Sequence, residues 1–176
     1  MLEAIRSSSE IARLQALVGQ VIDRPNHLSL DWLNRPGWDA VPIESASYFV
    51  ERTASRLANA CQMLGQTECY AIATELVKNA PLAYRLSTDT DALLEFGDMA
   101  YPMLYVLMPE SREFAVLCTP DYELVAGPHP FVVSVLGTSV AEARSKYSAF
   151  FASDKWSDEN RRWFESVIQR YQPFGS

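Results

Sequence analysis

The sequence predicts an α+β domain, a four-stranded and mostly antiparallel meander at about 103–136 packed by N-terminal and C-terminal helices. Three observations predict it. Runs rich in β-branched and aromatic residues at 103–108, 112–118, 122–126 and 131–136 follow one another between breaks containing Pro, Gly, Asp or Ser. Apolar residues recur at helical spacing on both sides of these runs. A Ser with a Glu three residues on, the capping-box form, opens segments at Ser7 and Ser139. With 176 residues one domain is expected, mainly helical over 1–80, sheet-rich over 82–136 and helical again over 139–172.

The elements follow in order. After Ser7, residues Ile11, Leu14, Leu17, Val18, Val21 and Ile22 form one apolar stripe that ends before Pro25, an amphipathic helix of roughly four turns. From Pro25 to Pro42 the periodicity breaks, and Trp32 and Trp38 stand in an irregular stretch with a single helical turn at 29–33. Helical spacing returns over 44–64 through Phe49, Thr53, Leu57 and Cys61, with Gly65 as the residue just past the helix end. Thr67 then caps a second predicted helix carrying Tyr70, Ala71, Ala73, Thr74, Leu76 and Val77 and stopping near Asn79. The short link makes the pair an αα-hairpin. Leu82, Tyr84 and Leu86 alternate as a strand, and Asp89 caps a short helix with Ala92, Leu93 and Phe96.

In the meander, alternation sets Phe114, Val116 and Cys118 against Glu113, Ala115 and Leu117, and Tyr122, Leu124 and Ala126 against Glu123 and Val125. One face is apolar and the other mixed, covered in its middle and wet near its ends. Gly127-Pro128-His129-Pro130 reads as a rigid turn into the fourth strand. Ser139 and Ser157 open the last two helices, the second with a wide face of Trp163, Phe164, Val167, Ile168 and Tyr171.

Charge is more informative than composition. The net charge is −7, and the window 87–126 holds Asp89, Asp91, Glu95, Asp98, Glu110, Glu113, Asp121 and Glu123 against Arg112 alone. Eight of 22 acids and one of 15 bases therefore carry the whole excess, and the rest of the chain is balanced. Such a surface repels nucleic acid and anionic membrane and steers a basic partner. The N-terminus lacks the basic-then-apolar order of a signal peptide, and no apolar run approaches the roughly 20 residues of a bilayer span. Three cysteines without a CxxC pair fit reduced thiols. A cytoplasmic protein is expected, without membrane contact.

No motif names a reaction. GxSxG, HExxH, Walker A and GxGxxG are absent, and two histidines, His27 and His129, leave few metal or triad arrangements. Cys118, His129 and Asp121 supply the residue types of a Cys-His-acid site, but Cys118 reads as a strand core residue. Asp89-Thr-Asp91 with Glu95 and Asp98 lacks the Gly and third ligand of an EF-hand and reads as a capped helix start. No catalytic residue, metal ligand or cofactor is expected.

In being small, acidic and free of catalytic motifs, the chain resembles bacterial immunity proteins and other inhibitors of basic nuclease-like toxins. That resemblance implies a binding module that neutralises a basic partner, here through the acidic segment 87–126. Trp32 and Trp38 either pin their irregular stretch to the core or, since interfaces are enriched in Trp, anchor the partner. A second reading is a small enzyme or ligand-binding domain, its pocket between sheet and helices using Tyr84, Tyr105, Tyr122 or His129. A third is a self-associating subunit, a homo-oligomer joined through the first helix or a strand edge.

Overall fold

The structure, a computed structural model, describes residues 1–44, 49–75, 80–100, 104–153 and 155–174. It is α+β, as the alternation of patterns predicts, but the sheet is larger than a meander. Seven antiparallel strands lie in the order β1-β6-β5-β7-β8-β9-β4. They are β1 (Leu2–Ala4), β4 (Trp38–Glu44), β5 (Glu68–Ala73), β6 (Ala83–Ser87), β7 (Tyr105–Met108), β8 (Ala115–Cys118) and β9 (Tyr122–Pro128). A separate hairpin pairs β2 (Ile22–Arg24) with β3 (His27–Leu28).

Helices cover both faces. Against one face pack α3 (Glu51–Met63), α4 (Thr90–Ala100) and α5 (His129–Leu136), with Leu57, Phe96, Phe131 and Val135 in a cluster that includes Leu107, Val116 and Val125 of the sheet. Against the other pack α1 (Ser8–Val18), α2 (Leu30–Leu33) and α7 (Asp158–Tyr171), with Leu14, Leu33, Phe164 and Val167 meeting Ile72, Leu117 and Leu124. The helix α6 (Val140–Phe151) runs beside β4 and serves both clusters, Val140 and Ala143 in the first, Tyr147 and Phe151 in the second. Two covered faces explain why 105–108 and 122–127 are buried at every position instead of alternating wet and dry.

Several helix ends follow the local chemistry. Ser7, Ser29, Ser139 and Ser157 each accept a hydrogen bond from the backbone amide three residues on. Asp89 Oδ1 does the same for Ala92, at 2.9 Å. Gly65 takes a left-handed φ of 68°, and its amide and that of Gln66 donate to the carbonyls of Gln62 and Cys61, closing α3 with a Schellman motif.

Two predicted elements are corrected. The helix expected over 67–79 is strand β5, paired with β6 on one side and β7 on the other. Cys69-Tyr-Ala-Ile-Ala73 is a continuous apolar run, which a strand buried on both faces produces as readily as a helix. Its last predicted turn, Leu76, Val77 and Asn79, lies outside the described residues. The fourth meander strand is instead α5. Pro130 stands in its first turn, Gly137 caps it with φ 62°, and the buried Phe131, Val132, Val135 and Leu136 share a helical face. The meander proper thus has three strands, β7, β8 and β9, and β4 takes the fourth place from the N-terminal side. Met103, expected to open the first meander strand, lies outside the described residues. The first helix ends at Val18 because Ile22 is drawn into the β2–β3 hairpin, and the 44–64 helix starts at Glu51 because Glu44 ends β4.

The outer edge of β4 is not left open. The amide of Ala40 donates to the carbonyl of Phe174 at 3.1 Å, and Arg144 Nη2 donates to the Ala40 carbonyl at 3.3 Å. A chain tail and a guanidinium occupy groups that would otherwise recruit another strand.

Candidate functional site

The eight acids of the charged window do not form one surface. The turn after β7 and the caps at Asp89 and Gln66 lie at one end of the sheet, and the β8–β9 turn with Asp121 lies at the other. Internal partners occupy several of them. Asp89 caps α4, lies 3.6 Å from the N-terminal ammonium, and is held below the usual carboxylate range first by the Ser87 hydroxyl and then by the Ala92 amide. Glu110 pairs with Arg13. Glu113 accepts from Gln66 Nε2 at 2.6 Å and Ser111 Oγ at 3.1 Å.

Glu123 is withdrawn from any partner surface. It is 6% exposed and sits on β9 opposite Cys118 and Ile43, and its carboxyl group has no hydrogen-bond or ion-pair partner among the described residues. Desolvation raises its carboxyl from 4.5 to about 7.

Asp91, Glu95 and Asp98 remain. At spacings of four and three residues they share one face of α4, exposed and without an ion-pair partner among the described residues. Met99, 42% exposed, follows Asp98 on the same helix.

The tyrosines proposed for a pocket between sheet and helices are closed into the core on opposite faces. Tyr84 and Tyr105 belong to the first cluster and Tyr122 to the second. The Tyr105 hydroxyl donates to the Pro81 carbonyl at 2.9 Å and that of Tyr122 to the Asn26 carbonyl at 2.6 Å. Nor does a Cys-His-acid site form. Cys118 faces the start of β9 and His129 follows its end, six residues past Glu123, which at strand rise places them roughly 20 Å apart. Burial pushes the Cys118 thiol up, away from the thiolate.

The polar groups that do converge stand at the β9-end of the sheet. Arg35-Pro36-Gly37-Trp38 is a tight turn, with Gly37 at φ 72° and the Trp38 amide donating to the Arg35 carbonyl at 3.2 Å. Pro then Gly at its centre is the pattern a type II turn requires. Arg35 folds back over the Trp38 ring, 4.5 Å from its centroid, and Trp38 meets Trp32 edge-on at 4.9 Å. Trp32 is buried in the second cluster, so of the two tryptophans only Trp38 reaches this surface.

Asp39 follows at the start of β4 and is 3% exposed. Its Oδ2 lies 2.6 Å from His129 Nδ1, and the His129 side chain is 54% exposed. The His129 amide also donates to the Gly37 carbonyl at 2.9 Å, fixing the turn to the first residue of α5. A carboxylate accepts, so Nδ1 carries the proton, and Nε2 has no hydrogen-bond partner among the described residues. Burial holds the Arg144 guanidinium below its usual range, and the nearby Asp39 charge offsets part of that shift. Around the pair opens a cleft of about 600 Å³, bounded also by Leu33, Asn34, Pro173 and Phe174.

In the sequence His129 reads as part of a turn, and no motif marks Asp39 or Arg35. The signal was the Pro36-Gly37 turn ahead of an acid on an otherwise apolar strand. Among the described residues no group of three or more His, Cys, Asp or Glu side chains is arranged to hold a metal ion, and no helix is long and apolar enough to cross a membrane. Comparison with known families, curated proteins and solved structures gives no match.

Proposed function

We propose that the protein is a binding module that engages a basic surface of another protein, in the manner of an inhibitor, and that the contact is the exposed face of α4. The observation that carries this reading is the unpartnered row Asp91, Glu95 and Asp98, in a window whose other acids are largely capped, paired or buried. A row of like charges costs the free protein self-repulsion that a cationic partner relieves, and it raises the association rate at low salt. Met99 beside it offers an adaptable apolar contact.

Self-association has less support, since the apolar stripe of α1 packs Leu14 and Val18 into the core and the β4 edge is occupied.

The test is affinity capture in parallel with wild type and the Asp91→Lys, Glu95→Lys, Asp98→Lys triple variant, with retained polypeptides eluted by a salt gradient. The reading expects wild type to retain a basic polypeptide that elutes as salt rises from about 50 to 300 mM, where screening becomes short-ranged. The triple variant should retain it at least about tenfold less. Equal retention by both proteins, or retention indifferent to salt, overturns the proposal.

A further inference from the structure

A buried carboxylate costs free energy unless it is paired. At Asp39 the pairing group is an imidazole more than half exposed, in the wall of a cleft, when the same turn could have been fixed by the backbone bond to Gly37 alone. The arrangement orients a side chain that faces outward. Nδ1 is committed to Asp39, the ring is held at the start of α5 where it lines the cleft, and Nε2 has no hydrogen-bond partner among the described residues.

Arg35 lines the same cleft. Its guanidinium has five donors, and the bond it makes is a long one, 3.4 Å from Nη1 to the Arg112 carbonyl. Its position is fixed by stacking over Trp38, so the remaining donors are pre-organised. Apart from Asn34 and Gly37, the rest of the wall is flat or apolar: Trp38, Phe174, Leu33 and Pro173. A volume of about 600 Å³ lies within the usual range for small-molecule sites.

We propose that this cleft is a binding site for a small molecule with a flat apolar body and one oxyanion group, carboxylate or phosphate. Arg35 holds the oxyanion by charge-assisted hydrogen bonds. On binding, the His129 ring takes up one proton from the solvent at Nε2, so that Nε2–H donates to the oxyanion while Nδ1–H stays on Asp39, whose carboxylate stabilises the imidazolium. The apolar body lies between Trp38 and Phe174. The site is separate from the acidic face of α4, and its failure leaves that reading untouched.

His129 is one of only two histidines, so its ring resonances are assigned by comparison with His27→Gln and report the site directly. Phenyl phosphate, benzoate, benzyl alcohol and inorganic phosphate are titrated separately into the full chain. Phenyl phosphate, benzoate or both shift the His129 ring saturably with a midpoint of about 1 mM or below, and His27 does not move. The stronger of the two identifies the oxyanion. Benzyl alcohol and inorganic phosphate bind at least about tenfold more weakly, because each lacks one half of the recognition. Arg35→Gln weakens the aromatic oxyanion about tenfold or more. Phe174→Ala weakens it while leaving inorganic phosphate unchanged.

Three results overturn the proposal: no saturable shift of His129 up to about 10 mM, benzyl alcohol binding as tightly as the oxyanions, or unchanged affinity in a folded Arg35→Gln protein. In each case the Asp39–His129 pair is a fastener between the turn and α5.

Discussion

Glu123→Gln should remove a pH dependence of stability that is built into the start of β9. The side chain is 6% exposed and lacks a hydrogen-bond or ion-pair partner among the described residues, and desolvation alone raises its carboxyl from 4.5 to about 7. Below about pH 4.5 the group is protonated in both the folded and unfolded chain and costs nothing. Between about 4.5 and 7 the unfolded chain releases the proton while the folded protein keeps it, so stability falls as pH rises. Above about 7 both states are ionised and the loss is complete. The difference in the two protonation equilibria corresponds to about 3 kcal/mol. Gln keeps the shape and cannot ionise. Burying its amide adds a constant offset of about 1–3 kcal/mol, independent of pH. The informative quantity is therefore the change, with pH, in the stability difference between variant and wild type. Urea melts at intervals from pH 4.5 to 8 should show that difference moving in favour of Gln by about 3 kcal/mol, or roughly 6–12 °C in Tm for a chain of this size. A difference constant to within about 0.5 kcal/mol across the range would refute the burial argument, since distant titrations cancel in the subtraction.

Three further outcomes are expected. His129→Ala leaves the Asp39 carboxylate buried without its imidazole and should cost about 1–3 kcal/mol; in the double variant with Asp39→Asn the penalties should be clearly less than additive, as urea melts of the four proteins would show. Gly137→Ala places a Cβ 2.1 Å from the Arg56 guanidinium carbon in a left-handed conformation (φ 62°). Arg56 must then give up its 3.0 Å bond to the Leu136 carbonyl at the end of α5, for a loss of about 1–2 kcal/mol measurable as a fall in Tm. Cys61 and Cys69 are fully buried, and burial pushes the Cys61 thiol up to about 12 and Cys69 up in the same direction. A chromogenic disulfide reagent at pH 8 should count at most one reactive thiol in the native protein and all three after unfolding.

The elements legible in the sequence are those whose signal is local. Ser7, Asp89, Ser139 and Ser157 cap helices because a short polar side chain satisfies a free amide one turn on, a requirement independent of the rest of the fold. Gly65 is legible for the same reason at the other end. Segment 67–73 is not, because its identity as a strand depends on β6 and β7 lying on either side, and alanines in a doubly buried strand mimic a helix face. In 129–136 the β-branched content outweighs Pro130 and Gly137 in a reading by propensity, yet those two residues set the structure. Position β4 next to β9 is likewise invisible, since some 80 residues of chain separate the two strands.

The same distinction applies to the charge. Counting along the chain correctly locates the excess in 87–126, but sequence neighbours in a sheet protein point to opposite faces and opposite ends. Glu110 and Glu113 stand in the turn between β7 and β8, Asp121 in the turn at the other end of β8, and Glu123 points into the core two residues later. Only a helix keeps acids of one segment on one surface, because residues three and four apart are stacked on one side of its axis. Asp91, Glu95 and Asp98 are therefore the part of the charged window that survives folding as a patch. A reversal confined to these three should do to a basic partner what reversing the whole window would do. The opposite ordering, with Glu110→Lys and Glu113→Lys more damaging than the α4 triple variant, would move the contact to the end of the sheet that carries the β7–β8 turn.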